Sequence, residues 1–140
     1  MLPKNIPAVL FMLALLAVVS YGGQNVGPFY NVDKEVRVEG RVEAVSFEPR
    51  YKDNARFLMV RVVADRTSEE YRVEVGPDWF FSRDIHQGEK VRIVGSLVAD
   101  AGGGTVLIAR ELRFRGETVT VRDARGFPMW RGGLKRGPRR

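Results

Sequence analysis

The sequence predicts an all-β domain, a small Greek-key barrel, from three observations. Between residues 36 and 122, apolar and charged residues alternate in five or six short runs, which is the period of half-buried strands. Gly40 and Gly95 lie inside the first and fourth runs, where glycine favours a sharp bend. An aromatic stretch, residues 79–81, separates the third run from the fourth.

The first three strands are predicted over residues 36–77. The first run begins at Val36, and its apolar phase slips after Ala44 toward Val45 and Phe47, which indicates a β-bulge. The second and third strands, residues 56–64 and 71–75, are joined by a polar turn and form a hairpin.

Residues 78–85 follow Gly76-Pro77 and are predicted to form one or two turns of helix. In a five-stranded barrel of the OB type, a helix at this place plugs the open barrel end. We therefore expect four side chains to cap the core: Trp79, Phe80, Phe81 and Ile85.

The remaining strands complete the predicted barrel. Residues 90–99 and 105–114 alternate again around a glycine-rich loop, and a short sixth strand is expected at 118–122. Three strands, a short helix and then two or three strands are the element order of a five- to six-stranded OB-type barrel over residues 36–122.

Residues 1–22 are predicted to be an export signal or a membrane anchor. Lys4 precedes an uncharged apolar run from Ile6 to Ser20. As a helix this run would span about 22 Å, less than the roughly 30 Å of the bilayer core, so both a cleaved signal and a retained anchor stay open. Residues 23–35 are a predicted linker, and we expect an exported protein, periplasmic or anchored facing the exterior.

Of the net charge of +6, the last ten residues supply +5 and Lys4 supplies the remaining +1. Residues 21–130 contain 17 basic and 17 acidic residues, so the barrel has no basic excess, which argues against specific nucleic-acid binding. We expect the tail, residues 133–140, to be disordered and to contact anionic lipid or a polyanion weakly.

Catalytic and cofactor chemistry has little support in the composition. The chain has no cysteine and one histidine, His86, which excludes thiolate sites and imidazole clusters. No motif of a nucleophilic triad, a zinc protease or a phosphate loop is present. The sequence therefore predicts a non-enzyme with no metal and no cofactor.

Two resemblances bear on this barrel. Residues 71–95, with residues 38–45 upstream, resemble exported bacterial OB-fold proteins of the BOF and related families, which implies a periplasmic or surface binding module. The segment around Pro77 is also similar to the periplasmic haem chaperone of cytochrome c maturation. That family carries haem on a histidine just after the fifth strand, where this chain has residues 113–118 without histidine. Haem or metal handling is kept as an alternative.

Two segments are candidate binding sites. The first is the loop between strands one and two, which borders the usual OB ligand face: Tyr51 has a ring to stack on a base or sugar, and its basic neighbours have charges for a phosphate. The candidates there are Arg50, Tyr51, Lys52 and Arg56, with a solvated loop as the alternative.

The second candidate is the aromatic C-terminal segment, residues 123–132. Its large apolar side chains are Phe127, Met129 and Trp130, and we expect them to fold back onto the barrel. If they bind a partner instead, Phe127 and Trp130 are the expected anchors.

The sequence thus predicts a non-catalytic, exported binding module of the bacterial envelope. It would engage a protein or small ligand through the barrel face or the C-terminal segment. The alternative is an oligonucleotide- or polyanion-binding protein that uses the first loop and the basic tail.

Overall fold

The computed structural model describes residues 29–81 and 83–131. The predicted export signal or anchor, the first six residues of the predicted linker and the basic tail lie outside these residues. Among the residues described, no helix is long and apolar enough to cross a membrane.

Six strands follow a single 3-10 turn at Val32–Lys34. They are β1 Glu35–Arg50, β2 Ala55–Ala64, β3 Glu70–Pro77, β4 Lys90–Ala99, β5 Thr105–Phe114 and β6 Glu117–Thr120. The chain is all-β as predicted, and the sixth strand begins and ends slightly earlier than expected.

The sheet closes almost into a ring. Its strand order is β3-β2-β1-β4-β5-β6, with antiparallel neighbours, and β3 also pairs with β5 in parallel, Val73 opposite Leu107. Five strands joined in this way, with one parallel pair closing the ring, form an OB-type barrel. Strand β6 extends the sheet beyond β5.

Strand β1 pairs with strands in both halves of the barrel, because it is long and bends in the middle. Its first half pairs with β4 and its second half with β2, and a register shift lies between Val42 and Ala44. At Gly40, which pairs with both neighbours, a Cβ would overlap the carbonyl of Val63. The expected bulge is present, although it lies just before Ala44 and not after it. The bending glycine is confirmed, and Gly95 on β4 meets the Ile108 carbonyl in the same way.

The barrel interior is filled by aliphatic side chains of all five barrel strands. Val62, Val73, Ile93, Leu107 and Leu112 are all fully excluded from solvent. Burying such side chains contributes about 1.5–3 kcal/mol each, so this interior is the main source of stability.

The helix predicted between the third and fourth strands is not formed. The amides of Phe80 and Phe81 both donate to the Pro77 carbonyl, at 3.0 and 3.2 Å, and after this single turn residues 83–86 are not helical. One turn fixes several dihedral angles for little hydrogen bonding, so it propagates only if further turns pack well.

The predicted plug is formed in part. Phe81 and Ile85 are buried and Phe80 is half-buried against the core. Trp79 was expected in the core, but its side chain is 59% exposed, so that prediction is wrong. Without a helix, no regular face turns all the aromatic side chains inward.

Candidate functional site

The usual ligand face of an OB barrel is occupied here by the chain itself. In OB folds that face is the outer side of β2 and β3, between the β1–β2 and β4–β5 loops. Trp130, only 8% exposed, lies over Gly76 of β3, where a Cβ would be 3.1 Å from the indole Cζ3. Its ring also meets Phe57 of β2 edge-on, at 5.9 Å between centroids.

In the structure the C-terminal segment comprises residues 121–131, because Val121 and Arg122 are held together with the predicted aromatic residues. This segment carries Trp130 and is itself held in place. Val121 is buried, and its carbonyl accepts from the Met129 amide at 3.0 Å. The Asp123 carboxylate accepts from the amides of Arg125 and Phe127, both at 2.9 Å, and these backbone bonds lower the pKa of Asp123. The segment folds back onto the barrel, but of the three apolar side chains predicted to do so only Trp130 is buried, whereas Phe127 and Met129 remain exposed.

A charge network lies beside Trp130, under the same face. Its centre is Glu74 of β3, which is fully buried. The Glu74 carboxylate accepts from Arg50 at 2.7 Å, from Arg122 at 2.9 Å and from the Tyr51 hydroxyl at 2.8 Å. A buried carboxylate is stable only when its oxygens are paired in this way.

The network continues outward to the β4–β5 loop. Asp100 accepts from Arg50 at 3.3 Å and from Arg72 at 2.5 Å. Burial raises the pKa of Asp100, but the bonds from Arg50 and Arg72 outweigh it and leave that pKa below its usual value. Arg72 also donates to Glu48 at 2.6 Å. Three guanidinium groups and three carboxylates balance, so the network carries no net charge for a ligand.

This geometry changes the role expected of the β1–β2 loop. Arg50 and Tyr51 both donate to Glu74 in the network. The Arg50 side chain is largely buried, whereas Tyr51 stays 39% exposed although its hydroxyl is bonded. Burial lowers the pKa of Arg50, yet the bonds to Glu74 and Asp100 leave it above the ordinary value. Burial, together with the Glu74 carboxylate, raises the pKa of Tyr51.

The other two residues predicted at this loop are exposed. Lys52 lies in the turn, and Arg56 stands 3.6 Å from Asp78 with its guanidinium 5.2 Å from the Phe47 ring centroid. Neither lies next to Arg50 in the network. The structure therefore does not bring the four predicted residues together as one phosphate-binding loop.

Sequence reasoning missed Glu74 because it alternates with Val73 and Val75, as a solvent-facing residue of a half-buried strand does. The barrel interior buries one face of β3, and the C-terminal segment covers the other at Glu74 and Gly76. The only sequence signal that the outer face of β3 would be covered was the group of apolar residues near the end of the chain.

An open groove lies at the end of the barrel that the partial plug does not fill. We call it the barrel-end groove. Its volume is about 560 Å³. Its apolar lining is Val45, Phe47, Leu58, Phe81 and Ile85, and its rim is Asp78, Trp79, Arg83, Asp84 and His86. This volume lies within the range of small-molecule sites, about 300–1,000 Å³.

Two aromatic side chains project into solvent at the groove. The Trp79 ring packs against Phe80, with 6.1 Å between centroids, and Phe47 is half-exposed under the Arg56 guanidinium. Exposed aromatic side chains that line one groove are often part of a binding site.

The rim of the groove is polar. His86 Nδ1 is 3.0 Å from Glu89 Oε2, which also accepts from Arg115 at 2.5 Å. Burial raises the pKa of Glu89, but the bonds from Arg115 and His86 leave it lowered. In the part of the chain that the structure describes, no group of three metal-ligating side chains occurs.

The predicted C-terminal binding residues divide into two groups. Trp130 belongs to the core, so its indole is not available to a partner. Phe127 is 58% exposed beneath the Arg125 guanidinium, at 5.2 Å, and Met129 is partly exposed.

Comparison with known proteins places this barrel in a family. The model of the MamS/MamX magnetosome protein family matches residues 34–119, more than half of the chain. The chain belongs to the MamS/MamX magnetosome protein family. The match spans β1 to β5 and most of β6, and stops just before the C-terminal segment of this MamS/MamX member.

Solved structures and curated proteins add little to this assignment. Two crystal forms of the mitochondrial single-stranded DNA binding protein Rim1 from S. cerevisiae are similar to this MamS/MamX member. Form 2 has 17% identity and a TM-score of 0.47, covering 59% of this chain and 93% of that one. Form 1 has 16% identity and a TM-score of 0.44, covering 64% and 100%. These values support no statement about a ligand. Comparison with curated proteins gives no match.

The expected resemblance is thus met only at the level of the fold. The OB-type architecture is present, whereas the matching family is neither the BOF family nor the haem chaperone.

Proposed function

We propose that this MamS/MamX member is a non-catalytic binding module of a membrane-associated compartment, exported there by its N-terminal segment. Its ligand site is the barrel-end groove, and its ligand presents an apolar or aromatic group, as a small molecule or as a side chain of a partner protein. The observation that carries this proposal is an open groove of about 560 Å³ with Trp79 and Phe47 exposed at its edge.

The barrel-end groove is favoured over the usual OB face because that face is filled. A ligand on β2 and β3 would have to displace Trp130 and uncover Glu74, both of which are buried. The groove needs no such displacement, so binding there avoids a large cost of reorganisation.

A non-catalytic role is supported by how the described carboxylates are paired. Asp100 and Glu89 each accept from arginine side chains, which favour their ionised form. Proton transfer near neutral pH favours a group whose pKa is raised toward that range, whereas the pKa values of Asp100 and Glu89 are lowered.

The test is a titration with indole, an uncharged aromatic probe, followed by NMR of the methyl groups. We expect indole to shift the methyl signals of Val45, Leu58 and Ile85, which line the groove. Trp79→Ser should weaken this binding. Phe127→Ser is the matched control, because Phe127 is as exposed as Trp79 but lies on the C-terminal segment. Methyl shifts outside the groove, or unchanged binding in Trp79→Ser, would overturn the proposal.

A further inference from the structure

The first and the last parts of the described chain lie side by side. The ring of Tyr30 packs against the backbone of Gly126, whose φ of +93° and lack of a Cβ permit the contact. The Tyr30 hydroxyl donates to Glu35, which Arg110 also holds at 2.6 Å. Residues 29–30 and 125–127 therefore meet at one place on the barrel surface.

Apolar side chains are exposed next to this contact. Phe29, one residue before Tyr30, is 71% exposed, and Phe127, one residue after Gly126, is 58% exposed. Met129, on the same segment, is partly exposed. We call Phe29, Phe127 and Met129 the terminal patch. Neighbouring Trp130 is buried, so the segment turns one aromatic side chain into the core and leaves the other outside.

The sequence before and after the described residues indicates what covers the terminal patch. The apolar run Ile6–Ser20 is separated from Phe29 by eight residues, which span at most about 30 Å when extended. A run held in a bilayer would keep Phe29 within that distance of the membrane. The C-terminal segment leads into a tail with four further basic residues, Lys135, Arg136, Arg139 and Arg140.

The chemistry of the patch and its flanks matches a lipid surface. The Arg125 guanidinium lies 5.2 Å from the Phe127 ring centroid, and Arg131 is exposed at the end of the described segment. Aromatic side chains beside arginine are typical of the membrane interface, and clustered basic residues are attracted to anionic lipid headgroups.

We propose that the terminal patch rests on the surface of an anionic bilayer, with Phe29, Phe127 and Met129 in the interface and the basic residues on lipid phosphates. The barrel would then be oriented by a specific face and not merely tethered. This proposal is independent of the barrel-end groove, because neither Phe29 nor Phe127 lines that groove.

The absence of cysteine makes a direct test simple. Phe127→Cys and Trp79→Cys replace two equally exposed aromatic side chains, and each is labelled with bimane in the full chain. The proteins are reconstituted in vesicles of phosphatidylglycerol and phosphatidylcholine that contain a phospholipid with a nitroxide on its acyl chain. We expect a blue shift and quenching of the label at position 127, and neither at position 79.

A third experiment tests whether the patch binds as a unit. The label is placed at Phe29→Cys, and adding Phe127→Ser to that chain should reduce the quenching at position 29. Equal quenching at positions 127 and 79, or no quenching at position 127, would overturn the proposal. No quenching at position 127 would favour a protein as the partner that covers the patch. The groove is tested by Trp79→Ser with indole, so either proposal can fail without the other.

Discussion

Arg122 Nη2 donates to Glu74 Oε2 at 2.9 Å, and the two side chains are buried together beneath Trp130. Arg122 also donates to the carbonyls of Val75 and Ala109, and its guanidinium lies 4.9 Å from the Trp130 ring centroid. Burial lowers the pKa of Arg122, and the Glu74 carboxylate opposes that shift. This pair joins the C-terminal segment to β3.

Arg122→Met should destabilise the protein by about 3 kcal/mol, because it leaves part of a buried carboxylate charge uncompensated. Glu74→Gln/Arg122→Met should cost less than the sum of the two single changes, because neither charge then remains unpaired. Urea unfolding of the four proteins measures this coupling. Additive effects would show that the pair contributes no interaction energy.

Trp130→Ala should destabilise by about 3–5 kcal/mol, because the indole fills the space between Phe57, Gly76 and Phe80. Phe127→Ala, on the same segment but exposed, should change stability by less than about 0.5 kcal/mol. Thermal melts compare the two variants. Similar melting temperatures would contradict the separation of a buried from an exposed aromatic side chain.

Gly40→Ala should cost more than about 3 kcal/mol or prevent folding, because the new Cβ overlaps the Val63 carbonyl and backbone strands must move apart. Gly102→Ala places its Cβ in open space within the β4–β5 loop and is the control. Circular dichroism at equal concentration reports both. A well-folded Gly40→Ala protein would show that β1 and β2 are less closely paired there.

Stability should fall in acid partly through Asp100. Its folded pKa lies below the unfolded value of about 3.9, so its ion pairs stabilise the fold above that pH and lose their effect as pH falls through the folded pKa. Asp100→Asn should therefore lower the urea midpoint at about pH 7, and the difference from the parent protein should shrink below about pH 4.

The control for this pH experiment is Asp33→Asn. Asp33 is exposed in the 3-10 turn and forms no ion pair among the residues described. We expect little difference from the parent protein at either pH. A constant gap for Asp100→Asn from neutral to acid pH would assign its effect to lost packing and not to lost charge.

Trp79 and Trp130 should be separable by fluorescence quenching, since they are the two tryptophans of the chain. Iodide should quench the exposed Trp79 and leave Trp130 nearly unaffected. Trp79→Phe should remove the accessible component and leave a blue-shifted spectrum. Strong quenching that persists in that variant would place Trp130 in contact with water.

The barrel was predictable because its signals are local. Alternation defines each strand, the phase slip after Ala44 marks the bulge, and Gly40 and Gly95 mark the bends. The helix was not predictable in the same way, because residues 78–85 have the composition of a short helix, and only their tertiary contacts decide that they form a single turn.

The site was less predictable, because it depends on long-range contacts. Arg50 and Tyr51 look like a solvent-facing basic loop until Glu74 is known to be buried, and Glu74 is buried because residues 121–131 cover β3. No local sequence pattern indicates that residues 121–131 cover β3 and thereby bury Glu74. The barrel-end groove likewise follows from where Phe81 and Trp79 end up and not from their residue types.

The position of Trp130 has a consequence for how far the domain extends. The family match ends at residue 119, yet Phe57 and Gly76 are shielded from water by a side chain eleven residues later. We therefore expect the barrel and its C-terminal segment to unfold together, in a single transition. A truncation at the family boundary would expose Phe57 and Gly76 and remove Arg122, and it would leave Glu74 with Arg50 as its remaining cationic partner.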